Sequence, residues 1–128
     1  MAVIHHWENW GLHTCYVGFN TGEELLSAAL EVSGDPRFDQ INYLIGDWSG
    51  SESSNITMED VQKLASYIEA FSRSNSNILH PSVLPEGESR QAMVALYAML
   101  TEDIPWTVTW FDTLEEARAW IESELATV

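Results

Sequence analysis

Positive charge is scarce in this 128-residue sequence. Five Lys and Arg face 20 Asp and Glu, Lys63 is the one lysine, and the formal net charge is −15 at pH 7. Phosphate-backbone binding needs Lys and Arg to displace counterions, which excludes nucleic acid as a partner and disfavours an anionic membrane surface. The acids are spread along the chain, not gathered in a tail, and read as a solvated surface. Cysteine is almost missing as well. Cys15 stands alone, which excludes an internal disulfide and any Cys-based metal cluster. It sits in an alternating apolar pattern as a buried thiol, and the natural compartment for such a chain is the cytoplasm. No apolar run approaches the ~20 residues that cross a bilayer. The start, Met1 to His6, lacks the basic region and long apolar segment of a signal peptide. Nor is there a glycine-rich strand-to-helix turn of the phosphate-cradling kind.

What is present is core-forming residues. Hydrophobic residues make up 45% of the chain and include six Trp, so residues 1–128 are expected to fold as a single domain. The organising stretch is Gln40 to Phe71. The apolar run Ile41–Ile45 suits a buried strand, a polar loop from Asp47 to Asn55 follows, and a helix starts at Thr57. There Thr57 and Asp60 form a capping box and Ile56 staples onto Val61. Val61, Leu64, Ala65, Ile68 and Phe71 then recur as one apolar stripe.

Around this unit the pattern repeats. Ile4 to Phe19 reads as a hairpin turning at Asn9-Trp10-Gly11, with His13, Cys15, Val17 and Phe19 alternating on one face. Thr21 and Glu24 open a helix that Gly34 and Pro36 stop. Pro81 would interrupt a central ladder, so the next strand is placed at Pro81–Leu84. A helix follows from about Glu88. Trp106–Phe111 alternates aromatics with threonines, as an edge strand does. Thr113 and Glu116 cap a last helix, with Trp120 on its inner stripe and largely buried. Arg37 and Arg90 are expected to tie down local carboxylates. The order β-β-α-β-α-β-α-β-α calls for an α/β fold with a mixed five-stranded sheet and four helices.

Three segments carry a resemblance: Asp35-Pro36-Arg37-Phe38, Asp47-Trp48-Ser49-Gly50, and Phe111-Asp112-Thr113-Leu114-Glu115-Glu116-Ala117-Arg118-Ala119-Trp120-Ile121. They resemble the SpoIIAA-like branch of the STAS superfamily, whose name joins sulfate transporters and anti-sigma-factor antagonists. The likeness covers nearly the whole chain. It implies helices packed on a mixed sheet and a binding module more than a reaction; a fainter likeness runs to lipid-carrier domains of the Sec14 type.

Anti-sigma antagonists carry an Asp-Ser-Ser-Gly segment whose second serine is phosphorylated. That motif is absent here. By letters Ser49 would be the serine, but by register the position falls at Asn55-Ile56-Thr57, where Thr57 is already explained as a cap. Asp47 corresponds to the carboxylate that closes the strand. Trp48 follows the third strand at the carboxyl end of the sheet, where open α/β folds bind ligands. Beside Ser49–Ser54 it could line a cleft, although a tryptophan covering a helix end is the simpler account.

Asp47, Trp48, Ser49 and Thr57 are therefore the candidate binding residues. No catalytic constellation, metal site or cofactor is indicated. His5, His6, His13 and His80 show no helical ligand spacing. The reading is a non-catalytic module acting through a protein partner or a small apolar ligand. The alternative is an enzyme with an unrecognised site at the carboxyl end of the sheet. Aromatics on the terminal strand and the hairpin add the expectation of a homodimer.

Overall fold

The structure, a computed structural model, describes residues 2–84 and 88–126. The elements are β1 (Ala2–Glu8), β2 (Gly11–Asn20), α1 (Gly22–Gly34), β3 (Tyr43–Ser54), α2 (Met58–Phe71), β4 (Leu79–Val83), α3 (Glu88–Leu100), β5 (Thr107–Phe111) and α4 (Leu114–Ala126). The strands form one sheet in the order β1-β2-β3-β4-β5. β1 is antiparallel to β2, and every other neighbouring pair is parallel. The mixed five-stranded sheet and four helices are those the sequence implies.

Local signals account for most boundaries. Trp10 takes the left-handed position of the hairpin turn, with φ 65°. Gly11 follows it because the Tyr43 ring lies over its Cα, where a Cβ would overlap the ring. Thr21 and Thr57 both close reciprocal capping boxes. At Thr113 one arm forms as expected, the Glu116 N–H donating to Thr113 Oγ1 at 3.2 Å, while Glu116 Oε1 takes the Thr113 hydroxyl. Asp35 accepts from the backbone and guanidinium of Arg37. That contact starts a 3-10 turn, Pro36–Gln40, which buries Phe38 and which the sequence reading lacks. The Arg90 side chain lies outside the described residues.

Three boundaries differ from expectation. The third strand is not Ile41–Ile45 but Tyr43–Ser54, so most of the supposed polar loop is strand. The reason is its partner: β2 extends to Asn20, which pairs with Ser54, and ladder bonding is indifferent to side-chain polarity on a wet face. β4 is Leu79–Val83, with Pro81 buried in its interior. The Leu79 N–H donates to the Asn42 carbonyl, and the next donor in a parallel ladder would be the N–H that Pro81 lacks. His80 compensates. Its Nδ1 lies 2.8 Å from the Leu44 carbonyl, which can only accept, so the ring nitrogen donates in place of the missing amide. Trp106 precedes β5 and is buried, its Nε1–H donating to the Asn75 carbonyl at 2.7 Å. Trp120 packs against the smaller cluster with part of its ring exposed and leans on Phe111.

The sheet has two unequal faces. On the first, Leu12, Phe38, Ile41, Ile68 and Trp106 join the inner stripes of α1, α2 and α3 in the main core. On the second, α4 lays Ala117 and Ile121 on Ile45 and Val83. Arg118 reaches from α4 to Glu8 at 2.8 Å, and Tyr43 donates to the same carboxylate. These bonds, Arg118 first, hold the Glu8 carboxyl below its ordinary range.

Candidate functional site

Successive residues of a strand point to opposite faces, and β3 uses this to supply two different sites. Leu44, Gly46 and Trp48 face the helices of the first face. Asp47 and Ser49 face the other way.

On the first face the helices do not fill the space above the sheet. A cavity of about 310 Å³ remains, with Leu44, Gly46 and Trp48 of β3 among its lining and Val61, Leu64 and Val94 of α2 and α3 opposite. This is at the lower end of the ~300–1,000 Å³ typical of small-molecule sites. Trp48 is held flat against Tyr16, with ring centroids 3.8 Å apart and planes 4° from parallel. The lining also carries polar side chains among further apolar ones. Tyr16, His80, Ser82 and Tyr97 all line the cavity. Because His80 Nδ1 donates to Leu44, its Nε2 accepts, and the Tyr97 hydroxyl donates to it at 3.0 Å. Burial holds the His80 pKa below its ordinary value, with the Leu44 bond acting against it. Burial pushes both phenols far above theirs. At neutral pH the whole wall is therefore uncharged, and it offers hydroxyls and a satisfied imidazole to an otherwise apolar space.

On the second face, His13 Nε2 lies 2.7 Å from Asp47 Oδ2 and 3.4 Å from Cys15 Sγ. The other Asp47 oxygen accepts the Ser49 N–H at 3.0 Å and the Ser49 hydroxyl at 2.7 Å. Burial alone would raise the Asp47 pKa, but the Ser49 bonds and then His13 outweigh it and bring the carboxyl below its ordinary value. Burial, with Asp47 adding to it, raises the Cys15 thiol.

The four candidate residues from the sequence therefore do not converge. Trp48 is in mid-strand, not at the sheet's end, and of the four it alone lines the cavity. Asp47 does not close the strand; it is buried within it on the opposite face, with Ser49 attached. Thr57 caps α2, its hydroxyl accepting the Asp60 N–H at 3.1 Å. Sequence reasoning missed Tyr16, His80 and Tyr97, which meet only through tertiary packing. It also missed the assembly of His13, Cys15 and Asp47, for which the shared β2 parity of His13 and Cys15 was the available signal.

No family model and no curated protein sequence matches the chain. Among solved structures, the chain is similar to the anti-sigma factor antagonist SpoIIAA in its unphosphorylated form. The TM-score is 0.60 at 9% identity, over 99% of this chain and 100% of that one. It is also similar to an uncharacterized DUF3478-family protein with a SpoIIAA-like fold from Shewanella loihica PV-4. There the TM-score is 0.49 at 16% identity, over 94% of this chain and 92% of that one. The likeness to SpoIIAA shows a SpoIIAA-like fold.

Proposed function

We propose that this chain is a non-catalytic binding module whose ligand is a small, uncharged, mainly apolar molecule seated between the sheet and α2 and α3. The observation that carries the proposal is the cavity of about 310 Å³ with mainly apolar walls and a few uncharged polar groups among them. An apolar ligand gains roughly 25 cal/mol per Å² of surface removed from water, and a single hydroxyl or carbonyl on it could pair with Tyr16 or Tyr97. An enzyme reading is weaker here. Both His80 nitrogens are engaged, and neither phenol ionises near neutral pH, so no cavity group named here is poised to move a proton.

A protein partner is the second reading, favoured by the open half of the second sheet face, where Ile4, Val17 and Phe19 are exposed. A similar structure is that of an anti-sigma factor antagonist. A homodimer would use the β5 edge, where Trp110 is exposed. The −15 charge argues against nucleic acid. No helix among the described residues is long and apolar enough to cross a membrane, and the free thiol suits the cytoplasm.

The test is a series of n-alkanols titrated against intrinsic tryptophan fluorescence, beside native mass spectrometry of the purified chain. Affinity should rise by about 0.8 kcal/mol per added methylene and then stop when the cavity is full. A Cβ on Gly46 would meet nothing closer than 3.7 Å, so Gly46→Val should fold normally, intrude on the cavity and weaken alkanol binding at least ~10-fold. Equal binding by Gly46→Val, or no chain-length dependence, would remove the ligand reading.

A further inference from the structure

We propose that His13, Cys15 and Asp47 form a three-ligand zinc site on the open half of the second sheet face, independent of the cavity.

The geometry separates this from a nucleophile and base. In a cysteine-based relay one imidazole nitrogen faces the thiol and the other is held by the carboxylate. Here a single nitrogen faces both. His13 Nε2 is 2.7 Å from Asp47 and 3.4 Å from Cys15 Sγ. Since a carboxylate can only accept, that nitrogen carries the proton it donates to Asp47, and it cannot take one from the thiol. Three donor atoms gathered within 4.8 Å of one another describe a chelate, not a chain.

One nitrogen, one sulfur and one carboxylate oxygen, all within 4.8 Å of one another, are a donor set zinc accepts. Zinc bonds of ~2.0–2.3 Å in tetrahedral geometry put ligand atoms about 3.3–3.7 Å apart. The present N···S separation already lies there, and the N···O separation needs to open by roughly half an ångström once a metal replaces the bridging proton. The donors sit on paired strands, Cys15 opposite Asp47 in the β2–β3 register, so the backbone holds them. The Ser49 N–H and hydroxyl on the other Asp47 oxygen orient the carboxylate, as outer-shell partners of metal ligands do. His6, whose ring centroid is 5.8 Å from that of His13, borders the site and is exposed. The fourth position is left to water or to an arriving ligand. On binding, the thiol proton leaves to solvent and the imidazole changes tautomer, giving up its Nε2 proton to solvent and taking one on Nδ1, which frees the Nε2 lone pair for the metal.

The experiment is titration of the intact chain with Zn²⁺ against a chromophoric chelator, in excess Mg²⁺ to occupy the acidic surface. Co²⁺ then serves as a spectroscopic probe. One equivalent of Zn²⁺ should bind, and Co²⁺ should show a thiolate charge-transfer band with the intense visible bands of a tetrahedral site. Cys15→Ser should abolish the charge-transfer band and weaken Zn²⁺ at least ~100-fold, while Ser49→Ala should weaken it by only ~10-fold. Circular dichroism identical to that of the unsubstituted chain establishes that each variant is folded. Asp47→Asn is the second ligand deletion, with the same ~100-fold loss expected, and His13→Gln replaces it if it fails that check. Zn²⁺ displaced by Mg²⁺, a Co²⁺ spectrum without the thiolate band, or Cys15→Ser binding unchanged would each overturn the assignment.

Discussion

Leu12, Thr14 and Tyr16 of β2 are buried under α1, α2 and α3, whereas the intervening His13, Cys15, Val17 and Phe19 run from half-buried to exposed. One strand thus serves two environments, and the difference is how many helices lie above it. Three helices enclose the first face and leave a cavity inside the enclosure. One helix covers only part of the second, and the chelating cluster lies toward the uncovered hairpin side, on β2 and β3. The proposed apolar ligand and the proposed metal follow from this inequality. An enclosed, mainly apolar space suits the first, and fixed polar donors on paired strands suit the second.

The comparison predicts unequal energetic weight, and a pair of truncations measures it. Phe38 is 1% exposed and packs on Phe71 and Trp106, so Phe38→Ala should destabilise by ~3–5 kcal/mol in urea unfolding. Trp120, half-buried under the smaller cluster, should lose only about 1–2 kcal/mol on truncation. Equal losses would show that the second face is as tightly built as the first.

A glycine sharpens the same contrast at the turn end of β2. The Tyr43 ring lies against the Gly11 Cα, and its hydroxyl reaches Glu8 beside Arg118. Gly11→Ala must move that ring and break the link between α4 and the hairpin, at a cost of ~1–3 kcal/mol. Adding Tyr43→Phe to Gly11→Ala separates the causes. If the clash dominates, the second substitution adds little; additive losses would show that the hydroxyl network stands independently of the ring's position.

Much of this architecture is legible in the sequence because its signals are local. The Thr21–Glu24 and Thr57–Asp60 boxes and the stripe from Val61 to Ile68 each lie within a few turns of chain. The errors fall where a distant partner decides. Ser49 to Ser54 look like loop until β2 is known to run beside them, and Pro81 looks like a strand start until the His80 imidazole replaces its missing amide. The site was less legible for the same reason. Tyr16, His80 and Tyr97 are far apart in sequence, and the histidines were weighed by helical spacing, whereas His13 meets Cys15 at strand spacing and Asp47 across a ladder.

Protonation distinguishes the enclosed face from the open one. Burial keeps the His80 pKa below the ordinary 6.5, so below about pH 6.5 the unfolded chain takes a proton that the folded one refuses. This contribution is complete above that pH. It is lost as pH falls, by about 1.4 kcal/mol per pH unit, until the folded state's own pKa is reached. His5, also lowered chiefly by burial, adds a contribution of the same sign. Unfolding measured from about pH 7.5 to 5.5 should show this slope, and His80→Gln should remove one proton's share of it. An unchanged slope in His80→Gln would mean that the enclosed ring does not titrate as a buried group.

The smallest effect concerns the rim of the cavity, at the start of α2. Thr57 accepts the Asp60 N–H, Asp60 Oδ2 accepts the Thr57 N–H, and the preceding Ile56 lines the cavity. As a cap alone, Thr57→Ala should cost about 1 kcal/mol. Thr57→Asp should leave stability nearly level, because Asp caps well and its charge suits the positive end of the helix dipole. Neither should change alkanol affinity beyond the loss of helix stability. A phosphorylation switch predicts otherwise: the Asp form would keep its stability yet change what the module binds. Glu59 and Asp60 in the first turn already supply negative charge there, so a further charge gains less from the dipole than it would at an uncharged helix start. Stability and alkanol binding measured together on the two variants decide the matter. A Thr57→Asp chain as stable as the original but altered in binding would make the rim a regulated gate and not merely the end of a helix.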